Sequence, residues 1–149
     1  MTGSVSPFLV LNTANRRVVS KRGLLTTLAC DRQGKPVYAL EGSIFIAGAV
    51  VQWLRDELKL ITSSVDTERD IEGLKDTQGV YVVPAFAGLG APYWDGQARG
   101  VIVGLTRGAN RRHLIRAALE SIAYQTKDVF DLMEQEFGKK IRSLNVDGG

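Results

Sequence analysis

One cysteine, one histidine and four prolines occur in 149 residues. The lone Cys30 excludes an internal disulfide and any zinc site built on cysteines, and it fits a reduced, cytoplasmic setting. Set in the β-rich run "LLTTLACD", it reads as a small buried side chain. No apolar run approaches the ~20 residues needed to span a bilayer, and no charged-then-apolar signal pattern opens the chain. Nothing therefore directs the chain to a membrane or to export. Internal repeats and low-complexity tracts are also missing. Charge of one sign is scarce: 19 Lys and Arg stand against 16 Asp and Glu, a net +3. The basic residues fall in separate clusters, Arg16, Arg17, Lys21 and Arg22, then Arg107, Arg111, Arg112 and Arg116, then Lys139, Lys140 and Arg142. Acidic and apolar stretches divide them, so they read as solvated surface, and no nucleic-acid partner is expected. What the chain does have is 44% apolar residues, enough for one core at the size of one domain.

Three strand-like runs come first, "FLVLNT" (8–13), "GLLTTLAC" (23–30) and "PVYALEG" (36–42). "DRQGK" between the second and third has hairpin-turn composition, and a β-meander is the expected result. The period then changes from two to about 3.6 residues. Ile44, Ala47, Val50, Val51, Leu54 and Leu58 make one stripe with Ser43 placed as N-cap, which predicts a helix of about four turns. Gly48 lies inside that helix, where glycine costs about 0.8–1 kcal/mol relative to alanine. Phe45, Gly48, Gln52 and Arg55 would share a face, suited to a flat ligand resting on Gly48 or, more simply, to close packing at a small residue.

Residues 62–77 are polar with a weak helical hint. "GVYVVPAF" follows as a strand ended by Pro84, and "AGLGAPYWDGQARG" then runs 14 residues without a period. Four glycines, Pro84, Pro92, Tyr93 and Trp94 in "PAFAGLGAPYWDGQARG" predict a fixed, folded-back loop, which is functional or serves as a cover for the sheet. A strand at 100–106 leads to a long helix from about Arg111 to Phe137, capped by Asn110 and ended by Gly138. His113, at its start, reads as a capping or dipole-facing side chain. "SLNVDG" predicts a final strand. The order βββα, then β, long α and β, describes a layered α/β or α+β domain.

"GVYVVPAFAGLGAPYWDGQARGVIVGLT" closely resembles the matching stretch of glycerol kinases, within the FGGY family of carbohydrate kinases. Gly100, Ile102, Gly104, Leu105, His113, Leu114, Ala117, Ala118, Leu119 and Glu120 meet that family's recognition pattern in order. "GLLTTLAC", "YALEGSIFIAGAVVQWLRDELKLI" and "LESIAYQT" are similar to glycerol kinases as well, so the resemblance covers about residues 8–149. "GLGAPYWD" points to glycerol kinases, because sugar kinases such as xylulose kinases carry a different version of this loop.

The resemblance implies a ribonuclease-H-like, actin-type ATPase domain, incomplete here. Residues 1–149 would be the first part of the family's nucleotide-side C-terminal domain, with the N-terminal substrate and catalytic domain and the end of the C-terminal domain lying outside the chain. The implied reaction moves the γ-phosphoryl group of MgATP onto the terminal hydroxyl of glycerol, giving glycerol 3-phosphate. Carried over residue by residue, Gly48 matches a nucleotide-contacting backbone position, with Gln52 one turn later as its neighbour. Gly149 matches the second glycine of the adenosine loop, and Phe8 the aromatic lining of the glycerol pocket. Thr2 matches a phosphate-contacting threonine, although Val5, Ser6 and Pro7 separate "TGS" from Phe8 where the family has no gap. No catalytic or metal-ligating residue can be assigned: Asp147, Asp95 and Glu120 read as turn, loop and helix-surface groups. The expected cofactor is ATP/ADP with Mg2+, the expected partner is glycerol, and the full-length form leaves room for a homo-oligomer. Alone, the chain is expected to be catalytically inactive and poorly stable. The alternatives are a non-catalytic interaction module derived from a kinase half-domain, and a kinase of another polyol or sugar.

Overall fold

A computed structural model describes residues 7–147. The element order is β1 (Phe8–Ala14), β2 (Leu25–Cys30), β3 (Pro36–Ser43), α1 (Gly48–Asp56), α2 (Asp66–Ile71), β4 (Tyr81–Val83), β5 (Val101–Val103) and α3 (Arg111–Phe137). All three opening strands are present, but the sheet order is β1-β3-β2, not the expected meander. β2 and β3 form the hairpin that "DRQGK" predicts, closed by Asp31, whose Oδ1 accepts from the Gln33 and Lys35 amides at 2.8 Å each. β1 then pairs antiparallel with the free side of β3, Leu11 opposite Leu40. The long β1–β2 connection permits this: it drops Val18 into the core, and Val18 O accepts from Thr26 Oγ1 at 2.5 Å.

Two cores lie along α3. Ile115, Ala117 and Ala118 on its first half pack with Val50, Leu54, Val80 and Val82. Val129, Leu132 and Met133 on its second half pack with Leu24, Leu40 and Ile44 under the three-stranded sheet. A helix of 27 residues is about 40 Å long, so a single element supports both cores. Its ends follow local rules. Asn110 Oδ1 accepts from the Arg112 amide at 3.0 Å, and the buried His113 Nδ1 accepts from the Asn110 amide at 3.1 Å, a reciprocal capping box. Gly138, at φ 72°, provides the left-handed stop.

Three further expectations are corrected. Cys30 is exposed, because its place at the end of an edge strand leaves it uncovered. Residues 141–147 form no strand, since an apolar alternating run becomes a strand only on a ladder and none reaches it among the described residues. The basic cluster Arg111, Arg112 and Arg116 is not simply solvated. Arg112 donates to the Asp70 and Glu72 carbonyls at 2.5 Å each, Arg116 donates to the Leu74 carbonyl, and Arg111 pairs with Asp70 at 2.6 Å. These bonds satisfy the carbonyl end of α2 and fasten it to α3.

Candidate functional site

β3 runs through Ser43, so Ser43 cannot be a helix cap; its carbonyl accepts from the Ala91 amide at 2.8 Å instead. The chain turns at Ile44–Ala47, and α1 begins at Gly48 itself. This corrects the predicted four-turn helix and the shared face: Phe45 precedes the helix, and its ring meets Trp94 edge-on at 6.0 Å. Arg55 is taken up by Asp56, with bonds at 2.7 and 2.8 Å. Gly48 therefore escapes the interior-glycine cost.

Gly48 and Gln52 remain together, one turn apart, and their setting is open. Gly48 is exposed, and a Cβ placed on it would meet nothing within 4 Å. No side chain caps this helix; its N-cap is Ala47. The Val50 amide donates to the Ala47 carbonyl at 2.9 Å, and no described side chain answers the partial positive charge of the first turn. Gln52, half-buried, offers an amide donor and acceptor beside them.

Antiparallel pairing brings Phe8 to the same end of the sheet. Phe8 stands opposite Ser43, and the neighbouring Pro7 carbonyl accepts from the Ile44 amide at 2.9 Å, five residues or fewer before the start of α1. The Phe8 side chain is 63% exposed. Thr2 and Gly149 lie outside the described residues. Phe8 thus lies at the end of β3 from which the chain turns into α1, and Gly48 and Gln52 lie one turn apart on α1.

The 84–100 loop is the scaffold of this end, and it has the fixed, folded-back form expected. Leu89 and Asp95 exchange backbone bonds at 2.8 and 3.1 Å, closing its tip, and the Ala91–Pro92 bond is cis. Gly90 lies so close to the Ser43 carbonyl that a Cβ there would overlap it, which is the physical need for glycine. Trp94 Nε1 donates to the Gly23 carbonyl at 2.6 Å, and Tyr93 Oη donates to Asp128 Oδ2 at 2.9 Å. That bond, with some burial and the nearby carboxylate charge, raises the Tyr93 phenol above its ordinary value. The loop therefore pins the end of β3 to the start of β2 and to the middle of α3. Sequence reasoning missed Gly23 and Asp128 as its anchors; only the positive-φ tendency of a glycine before a strand hinted at the former.

Residues 2–149 match the profile of the FGGY family of carbohydrate kinases, C-terminal domain. The chain belongs to this family. This FGGY chain is 60% identical over 142 residues to the glycerol kinase of Haemophilus influenzae, spanning 95% of this chain and 28% of that protein. It is 63% identical over 142 residues to the glycerol kinase of Fusobacterium nucleatum, spanning 95% and 29%. The crystal structure of Plasmodium falciparum glycerol kinase with ADP matches with a TM-score of 0.81 at 41% identity, over 90% of this chain and 27% of that one. A ligand-bound xylulose kinase from Lactobacillus acidophilus shares the fold, with a TM-score of 0.68 at 23% identity over 87% and 25%. The chain spans less than a third of the length of the curated relatives it matches. Its α/β arrangement is a portion of the actin-like ATPase fold that these FGGY kinases carry. No described helix is long and apolar enough to cross a membrane.

Proposed function

We propose that this chain is the nucleotide-side portion of an ATP-dependent glycerol kinase, transferring the γ-phosphoryl group of ATP to the terminal hydroxyl of glycerol. The observation that carries the reading is the unobstructed start of α1 at Gly48, with no side-chain cap among the described residues, in a chain 60% identical over 142 residues to a glycerol kinase. A backbone with no Cβ admits a flat base closely, and Gln52 supplies hydrogen-bonding groups one turn on. Phe8, exposed at the same sheet end, would cover the carbon skeleton of glycerol. Thr2 and Gly149 are assigned to the phosphates and the adenosine on the resemblance alone. Bound ATP would supply the phosphoryl group, and Mg2+ would supply charge neutralisation for it. Among the described residues no group of three or more His, Cys, Asp or Glu side chains is placed to hold a metal.

Phosphoryl transfer depends on positioning and charge stabilisation around the reacting oxygens. This chain contributes the nucleotide seat. The base, the glycerol hydrogen bonds and the first phosphate loop are assigned to an N-terminal domain of the family polypeptide, in a cytoplasmic enzyme able to self-associate. Alone, the chain is expected to turn over no glycerol.

A chimera tests this reading. The 142 matched residues of the Haemophilus influenzae glycerol kinase are exchanged for those of this chain, and glycerol-dependent ATP consumption is measured. Activity within about tenfold of the parent is expected, and a folded chimera without activity refutes the assignment. In an active chimera Gly48→Val should raise KM for ATP at least tenfold and leave KM for glycerol within about twofold. Equal changes in both would remove Gly48 from the nucleotide seat.

A further inference from the structure

α1 begins at Gly48, yet neither neighbouring element fixes that point by its own bonds. The strand β3 ends at Ser43, and Ala47, at φ −129° and ψ −91°, is neither strand nor helix. The Val50 amide donates to the Ala47 carbonyl at 2.9 Å, three residues back, so it does not make the α-helical bond to the Ile46 carbonyl. Ile46 is a buried member of the first core, where a carbonyl needs a partner within the protein.

α3 supplies that partner. Gln125 Nε2 donates to the Ile46 carbonyl at 3.1 Å and to the Ser121 carbonyl, one turn back on its own helix, at 3.2 Å. Both neighbours are carbonyl oxygens, so the amide must present its NH2 to them. The α3 end of this clamp is firm: Ser121 is buried, and its Oγ donates to the Ala118 carbonyl at 2.6 Å. The body of α1 is held separately, by Val50 and Leu54 packed with Ile115 and Ala118. Losing the Gln125 bond would therefore free the start of α1 and leave its apolar contacts in place.

We infer that Gln125 is a positioning residue for nucleotide binding: through the Ile46 carbonyl it sets where the Gly48 backbone, two residues on, stands toward ATP. The inference rests on the reading of Gly48 as the nucleotide seat. Gln125 itself acts only through the turn that it holds.

The active chimera is the test, with ATP and glycerol varied separately. Gln125→Met should raise KM for ATP about threefold to tenfold, the range of one neutral hydrogen bond, with kcat and KM for glycerol within about twofold of the parent. Gln125→Glu has the same shape but offers only acceptors when ionised, so it should raise KM for ATP further; a packing role would make it the milder variant. Asn110→Ala, which weakens α3 at its start, should leave KM for ATP within about twofold. Amide exchange at residues 49–52 of the Gln125→Met protein should quicken about fivefold or more, while residues 129–133 keep the parent rates. An unchanged KM for ATP in Gln125→Met, a Gln125→Glu protein equal to the parent, or unquickened exchange at 49–52 overturns the inference. So does an Asn110→Ala protein with the same rise in KM. If Gly48→Val raises KM for ATP and Gln125→Met does not, the inference alone fails. A folded parent chimera without activity sinks the kinase reading, and the inference with it.

Discussion

Replacing Gly42 by alanine places a methyl group between the sheet and the longest helix. Gly42 is buried in β3, and its Cβ would overlap Val129 Cγ1 and lie 3.1 Å from Leu24 Cδ2. Val129 has no exposed surface and, as a β-branched residue in a helix, has essentially one rotamer, so it cannot turn aside. In an open strand position the exchange would help, since glycine in a strand is worse than alanine by about 0.5–1 kcal/mol. Here overpacking of about 1–3 kcal/mol opposes that gain, and a net loss of about 1–2 kcal/mol is expected. For a chain of this size that lowers the thermal midpoint by about 2–8 °C, measured by circular dichroism alongside urea titration. Val129→Ala alone should also destabilise, by the cavity it leaves, but Gly42→Ala with Val129→Ala should cost clearly less than the two added. A Gly42→Ala chain as stable as the parent or more so, or an additive double variant, would refute the overlap.

Asn110→Ala removes the acceptor for the Arg112 amide at the start of α3 and should cost about 1 kcal/mol in the same titration. Arg112→Met strips two bonds from the carbonyl end of α2, so amide exchange in Asp66–Ile71 should quicken while the second half of α3 stays protected. Tyr93→Phe tests the loop pin through pH. The folded Tyr93 pKa is raised, so its contribution is complete below the unfolded tyrosine value of about 10 and is lost as pH climbs through the folded value. The parent should therefore lose stability across that alkaline range more steeply than Tyr93→Phe; parallel pH curves would contradict the bond to Asp128. Because Tyr93 is more than half exposed, the difference should be small.

α3 was legible from residues alone because everything that defines it is local. Asn110 and His113 sit three apart, Gly138 follows the last apolar stripe position, and the 3.6-residue period runs unbroken between them. The β2–β3 hairpin was legible for the same reason, its turn being encoded within "DRQGK". α1 was misplaced because a strand and a helix share the run 36–58, and the residue at which one yields to the other is decided from outside. The bonds from the Ala91 amide to the Ser43 carbonyl and from Gln125 Nε2 to the Ile46 carbonyl come from distant segments. No periodicity within 43–58 contains them.

By itself, then, the sequence determined the α3 caps, the β2–β3 turn and the apolar faces of this chain, and through its 79–106 stretch and the pattern from Gly100 to Glu120 the family to which it belongs. Only the tertiary structure decided the sheet order, the exposure of Cys30 and the helix start at Gly48. The physical reason is range: caps and periods are satisfied within about a turn of helix or hairpin, whereas strand partners and buried carbonyls are claimed by whichever segment packs against them.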